Sequence, residues 1–212
     1  MIYGISYIMT SYAQLSQDYA VLQYYYYKRN GFFVDIGAYD GTYLSNTYLL
    51  ESRWGWTGIC AEPLPTEFTQ LTKVRPESIC VNQAVFSIGD IEIDYAVAGL
   101  FSGIVEYLDC HKEFKTAPRI KVQTITLNDL LTRYNAPSYI EYLSLDTEGT
   151  ELEILKSVDF NKYRFGLIHL EHNAMEPIRT EIRTFLEAKG YQFRRENQWD
   201  DEYILGEPKV LL

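Results

Sequence analysis

Gly31-Phe32-Phe33-Val34-Asp35-Ile36-Gly37-Ala38-Tyr39-Asp40-Gly41 is the stretch that decides the fold. Phe32 to Ile36 is an apolar run with one acid near its end, and it reads as a β-strand covered on both faces. A glycine-flanked turn follows, and the polar residues 42–46 lead into a helix. Strand, glycine turn and helix is how α/β folds build a nucleotide site, because glycine lets the backbone approach a ligand closely. The spacing here is G-x-x-x-G, neither the G-x-G-x-x-G of dinucleotide sites nor a P-loop with its lysine. Asp35 and Asp40 would repel a pyrophosphate. An acid at the strand tip suits a ligand offering an ammonium or hydroxyls, which points to S-adenosylmethionine. The plainer alternative is an ordinary turn with no ligand.

Outward from this motif, strands and helices alternate. Helical spacing over residues 16–29 is closed by Asn30-Gly31, and the tyrosines at 24–27 read as divided between core and surface, the alternative being an aromatic platform for sugars or bases. Further strands are expected at 56–61, 79–86, 139–145 and 165–170, and helices at 65–74, 126–134, 150–156 and 176–189. Asp129 sits three residues after Thr126 as in a capping box, and Gly190 caps the last helix. Residues 91–97 alternate apolar and polar like an antiparallel strand, 99–118 read as a loop-rich insertion, and 119–124 as another strand. Two closing strands are expected at 191–194 and 203–205. The pattern implies one doubly wound domain over 1–212, with an N-terminal helical segment (1–30) and an insertion with extra strands (88–125). Asp35, Glu62, Asp146 and the cluster Glu171-His172-Asn173 all fall at strand C-termini, where such sheets bind ligands.

Composition sets the bounds. The chain has 212 residues and a formal net charge of −10, which argues against a nucleic-acid binder needing a basic footprint. Cys60, Cys80 and Cys110 lack metal-ligand spacing, and Cys60 and Cys80, in apolar strand-like runs, read as small buried hydrophobes of a reducing compartment. Residues 1–13 lack the pattern of a signal peptide, and no window is long and apolar enough to span a membrane. The expectation is a cytoplasmic protein.

These residues resemble those of the FkbM-type S-adenosylmethionine-dependent methyltransferases. The matching segments are Gly31 to Gly41, Ala61-Glu62-Pro63, Leu143 to Glu153 and Leu170-Glu171-His172-Asn173, supported by Ser16-Gln17-Asp18 and Gly190-Tyr191. The resemblance spans roughly residues 11–205. It implies the class I methyltransferase fold: a Rossmann-like, doubly wound, mainly parallel seven-stranded sheet with an antiparallel strand near the C-terminus and a small insertion after strand three. It also implies methyl transfer to a hydroxyl oxygen of a sugar or other small molecule. Carried over, Asp35, Gly37 and Gly41 shape the methionine end of the cofactor site, with Ala38, Tyr39, Asp40 and Ser45 in the same loop and Asp146 beside it. Glu62, with Pro63, binds the ribose hydroxyls, and 82–85, including Ala84 and Val85, lie near the adenine.

For the chemistry, His172 is the natural general base because histidine titrates near neutrality; a loop anchor is the alternative. Asp146 and Glu171 share its catalytic neighbourhood. His169, inside an apolar strand, reads as a satisfied core histidine, and His111 carries no signal. Asp146, Glu171 and Asn173 also form an oxygen-donor set for a divalent cation such as Mg²⁺, similar to metal-dependent catechol-type methyltransferases; the alternative is that these carboxylates hydrogen-bond a sugar or the cofactor ammonium, and Glu148 fits either job. The competing classes are a non-catalytic cofactor-binding module and a nicotinamide oxidoreductase, the latter disfavoured by the missing G-x-G-x-x-G. The insertion and the tyrosine-rich helix are expected to shape the acceptor pocket.

Overall fold

The computed structural model describes residues 10–109 and 111–205. Cys110 lies outside them, as does most of the N-terminal stretch read for a signal peptide. The principal sheet has seven strands in the order β10-β11-β9-β8-β1-β2-β3. These are β1 (Phe32–Ile36), β2 (Thr57–Ala61), β3 (Ile79–Val81), β8 (Tyr139–Leu145), β9 (Arg164–Glu171), β10 (Gln192–Asn197) and β11 (Asp200–Ile204). All neighbours are parallel except β11, which runs antiparallel to both β9 and β10. This is the class I methyltransferase sheet that the family resemblance implied. From β1 the chain winds first to β2 and β3, then to β8 and β9 on the other side. The switch point, where a ligand crevice forms, therefore lies between β1 and β8.

Period-two alternation sorts the strand residues onto two covered faces. Val34 and Ile36 pack with Leu130, Leu155, Ile182 and Leu186 from α4 (Leu127–Arg133), α5 (Glu151–Lys156) and α6 (Ile178–Ala188). Phe33 packs with Val21, Leu22, Leu49 and Leu50 from α1 (Gln17–Tyr24) and α2 (Tyr48–Trp54). The α1–α2 face also carries a polar row: strand pairing sets Glu202, His169, Ser144, Asp35 and Cys60 side by side across five strands. A buried polar row needs partners, and these shape the site.

A second, four-stranded sheet, order β4-β7-β5-β6, is formed by β4 (Ala84–Val85), β5 (Glu92–Ala96), β6 (Gly103–Ile104) and β7 (Arg119–Ile125). The expected strand at 79–86 is thus two strands in different sheets. Asn82 breaks it, its amide nitrogen donating to the carbonyls of Glu62 (2.9 Å) and Pro63 (3.0 Å). The first helix ends at Tyr24, short of the expected 29, because Tyr26 and Tyr27 take left-handed φ values of 49° and 60°. The last strand begins earlier than its apolar pattern suggested, since Asp200, Asp201 and Glu202 are all buried in it. Thr126 caps α4 as expected, its Oγ1 accepting from Asp129 N at 3.0 Å. Among the described residues, no helix is long and apolar enough to cross a membrane.

Candidate active site

A cavity of about 370 Å³ opens at the C-terminal ends of the central strands, within the range of small-ligand sites. Asp35, Gly37, Ala38, Tyr39, Ser45, Glu62, Asp146, Glu171 and Asn173 all line it, so most of the expected site residues converge. Pro63, Ala84 and Val85 line a smaller hollow that shares Gly37 and Tyr95 with it. Gly37 is required: at φ +89°, a Cβ there would lie 1.9 Å from the Asp146 carbonyl oxygen.

Glu62, at the tip of β2, accepts the backbone N–H of Tyr39 (2.9 Å) and of Leu64 (2.8 Å). Burial pushes its pKa up to about 7, against the pull of those two N–H groups. Asp35 accepts the Thr47 hydroxyl at 2.5 Å; its pKa is raised by burial and drawn back by Arg75, Thr47 and Ser144. Asp146 opens onto the cavity yet sits deep in the protein, and burial, with Asp200 nearby, raises it to about 7. It shares a hydrogen bond with Glu171, whose pKa is driven well up by burial and by the Asp146 charge. Glu148, raised to about 9 by burial and then by Asp146, completes a group in which one oxygen from each of the three acids lies within 4.8 Å of the others. Asn173 turns its amide nitrogen to Glu171 (2.7 Å) and Glu148 (3.2 Å). In that orientation it ties the carboxylates together, and the third oxygen of the cluster comes from Glu148.

Three expected residues sit elsewhere. His172 does not line the cavity. Its Nδ1 accepts from Ala174 N at 2.9 Å and its Nε2 lies 3.4 Å from Asp201 Oδ1, with the ring buried. Strand alternation turns His172 away from the side that Glu171 takes, and Asn173, in a left-handed turn at φ 47°, returns to the cavity. Asp40 caps its own turn, accepting from Thr42 N (2.8 Å) and Tyr43 N (2.7 Å). Gly41 closes against α3 (Pro65–Val74), where a Cβ would meet Leu71 at 2.8 Å.

The sequence reading missed Gln14, Gln17, Asn46, Trp199 and Asp200, which line the far end of the cavity. Gln17 Nε2 donates to Asp200 Oδ2 at 2.6 Å across 183 positions of sequence. No local pattern signals such a pair. His169 is buried as expected but also reaches the cavity, held by Glu202 at Nε2 (2.8 Å) and Tyr142 at Nδ1 (3.0 Å). His111, from the insertion, lies 3.1 Å from Glu148 and against Phe101. Among the described lining residues there are six carboxylates (Asp35, Glu62, Asp146, Glu148, Glu171 and Asp200) and no lysine or arginine.

A family profile for the FkbM methyltransferase domain matches residues 35–193. The chain belongs to the FkbM methyltransferase family. The family is one of methyltransferases. A solved FkbM methyltransferase from Methylobacillus flagellatus superimposes with a TM-score of 0.53 at 12% identity, over 82% of this chain and 43% of that one. The methyltransferase domain of METTL16 superimposes with a TM-score of 0.51 at 11% identity, over 93% of this chain and 68% of that one. At these identities the likeness is one of fold. This FkbM chain spans less than half of the Methylobacillus protein. No curated protein matches it.

Proposed function

We propose that this FkbM protein transfers a methyl group from S-adenosylmethionine to a hydroxyl oxygen of a small-molecule or carbohydrate acceptor. The observation that carries this reading is the cavity lining, rich in carboxylates and amides and without a lysine or arginine among the described residues. Such a wall suits hydroxyl and ammonium groups; phosphates and nucleic acid would be repelled.

Strand order gives the direction of the site. Neighbouring strands lie about 4.8 Å apart, so Glu62 after β2 and Asp200 on β11 are separated by four spacings, roughly 19 Å. Glu62 keeps free lone pairs on both oxygens beside its two N–H contacts, enough to accept ribose hydroxyls. Pro63, Ala84 and Val85 suit the adenine, and Asp35 and Ser45 with the loop around Gly37 suit the methionine end. The acceptor then occupies the end lined by Gln17, Asn46, Trp199 and Asp200.

In the reaction the acceptor oxygen attacks the methyl carbon in line, the carbon–sulfur bond breaks, and its electron pair stays on sulfur as S-adenosylhomocysteine leaves. The hydroxyl proton passes to Asp146, hydrogen-bonded to Glu171 and raised to about 7, close to neutral pH where general bases work best. His172 is too enclosed to serve. As a second reading, the oxygen set of Asp146, Glu148 and Glu171 fits a hard cation such as Mg²⁺, which would acidify the acceptor hydroxyl in place of proton transfer to these acids.

The test is methyl turnover over a panel of hydroxylated acceptors, with the product located by NMR. O-methylation is expected. Methylation at nitrogen or carbon would overturn the acceptor assignment, and stabilisation by NAD with none by S-adenosylhomocysteine would overturn the donor. Loss of turnover in chelator, restored by Mg²⁺, is expected for the metal; unchanged turnover removes it.

A further inference from the structure

Arg75 follows α3 and is 1% exposed. Its guanidinium faces the back of loop 37–47, whose other side walls the cavity. Nε donates to Glu51 Oε2 (2.7 Å), Nη1 to the Gly41 carbonyl (3.2 Å) and Ser45 Oγ (3.4 Å), and Nη2 to Thr47 Oγ1 (2.8 Å). Thr47 passes the contact on, donating its hydroxyl to Asp35 Oδ2 at 2.5 Å. The rings of Phe33 and Tyr48 lie 5.2 and 5.9 Å from the guanidinium carbon.

The loop needs such a clamp. Gly37, Tyr39, Gly41 and Leu44 have φ values of 89°, 49°, 82° and 55°. For tyrosine and leucine this backbone is strained, and it persists where the surroundings over-determine it. Arg75 supplies that determination with a planar fork of donors reaching four points at once, which a lysine could not do. Its charge is already balanced by Glu51, which also accepts Glu77 N at 3.1 Å and the Ser78 hydroxyl. Arg75 is therefore directed at the loop and at Asp35, with no share in recognising an anionic substrate.

We infer that Arg75 is a positioning residue of the methyl-donor site: acting through Thr47, it holds Asp35 as the counter-charge for the donor's α-ammonium, and through Gly41 and Ser45 it fixes the loop carrying Tyr39, Tyr43 and Asn46. This rests on the S-adenosylmethionine reading of the cavity. It separates two roles that a purely architectural arginine would merge, because the Thr47–Asp35 branch serves only the amino-acid end of the donor. The nucleoside end is held by Glu62 and the adjoining hollow.

The experiment compares two ligands by calorimetry: S-adenosylhomocysteine, and 5′-methylthioadenosine, which keeps the nucleoside and lacks the amino acid. Thr47→Val, nearly isosteric, should weaken S-adenosylhomocysteine roughly 10- to 100-fold, the size of a lost hydrogen bond to a charged group. Its affinity for 5′-methylthioadenosine should stay within about twofold of wild type. Arg75→Met should show the same order with a larger loss; should it not fold, Thr47→Val carries the test alone. Equal weakening of both ligands, or no change in either, overturns the inference while leaving the donor reading intact. A wild-type protein that binds neither ligand overturns both.

Discussion

At the scale of single residues, the two expected roles at the tip of β9 have separated. Glu171 reaches the cavity and His172 is packed away from it, between the Ala174 N–H and Asp201. His172→Ala should therefore cost stability, on the order of 1–3 kcal/mol for the buried partners it abandons, and leave turnover per folded molecule within about twofold. Kinetics and thermal melts on the same samples check this, and a large fall in kcat at unchanged stability would return the histidine to the mechanism. The converse holds for Glu62. Glu62→Gln should weaken S-adenosylhomocysteine by roughly 10-fold, as measured by calorimetry, and unchanged affinity would remove it from the site. Asp35, Glu62, Asp146 and Glu171 were legible because each stands at or near the end of an apolar run. The orientation of His172 was legible too, from strand alternation, had the strand been extended two residues past its apolar run. Gln17 and Asp200 were not, because the contact joining them is purely tertiary.

At the scale of elements, β11 is where pattern and structure part. Asp200-Asp201-Glu202 lies before the closing strand expected at 203–205, yet Asp201 and Glu202 are fully buried. Each acid is matched. Glu202 takes Arg194 (2.8 Å), Arg195 (2.9 Å) and His169 (2.8 Å), and Asp201 takes Arg179 through Nη2 (2.7 Å) and Nε (3.1 Å). These partners hold Glu202 at about 2 and Asp201 well below the ordinary carboxylate range, against the cost of burial. A period-two reading cannot see this, because it scores a charge as exposed whatever stands opposite. Asp201 ties α6 to the sheet, so Asp201→Ala removes the carboxylate beside the buried His172 and leaves Arg179 only Glu196. The expected loss is about 3 kcal/mol, read from denaturant midpoints. A loss below about 1 kcal/mol would mean that solvent replaces the pair and that the hairpin is anchored by its apolar contacts alone. By contrast, the Thr126 cap of α4 was fully legible, and Thr126→Ala should cost only about 1 kcal/mol.

At the scale of the whole molecule, the acids form two populations with opposite signs. Asp201 and Glu202 have folded pKa values below their ordinary ones, so their contribution to stability is present above the usual carboxylate range and is lost only in strong acid. The cavity acids are the reverse. Glu62 and Asp146 are raised to about 7 and Glu148 to about 9, and Asp35, Glu171 and Asp200 are also raised. Between their ordinary values and these, the folded state binds more protons than the unfolded one, so stability falls as pH rises. In chelator and without ligand, the melting temperature should peak near pH 5 and drop by several degrees towards pH 8.5, given about 2–4 °C per kcal/mol for a chain of this size. The donor site should answer this demand for positive charge. S-adenosylmethionine brings a sulfonium and an ammonium, so its stabilisation at saturating concentration should be larger at pH 8 than at pH 6. Neutral 5′-methylthioadenosine should show much less of that difference. A melting temperature that holds level or climbs from pH 6 to 8.5 would mean that the cavity carboxylates are relaxed by solvent. The acidic lining would then be no guide to what the cavity holds.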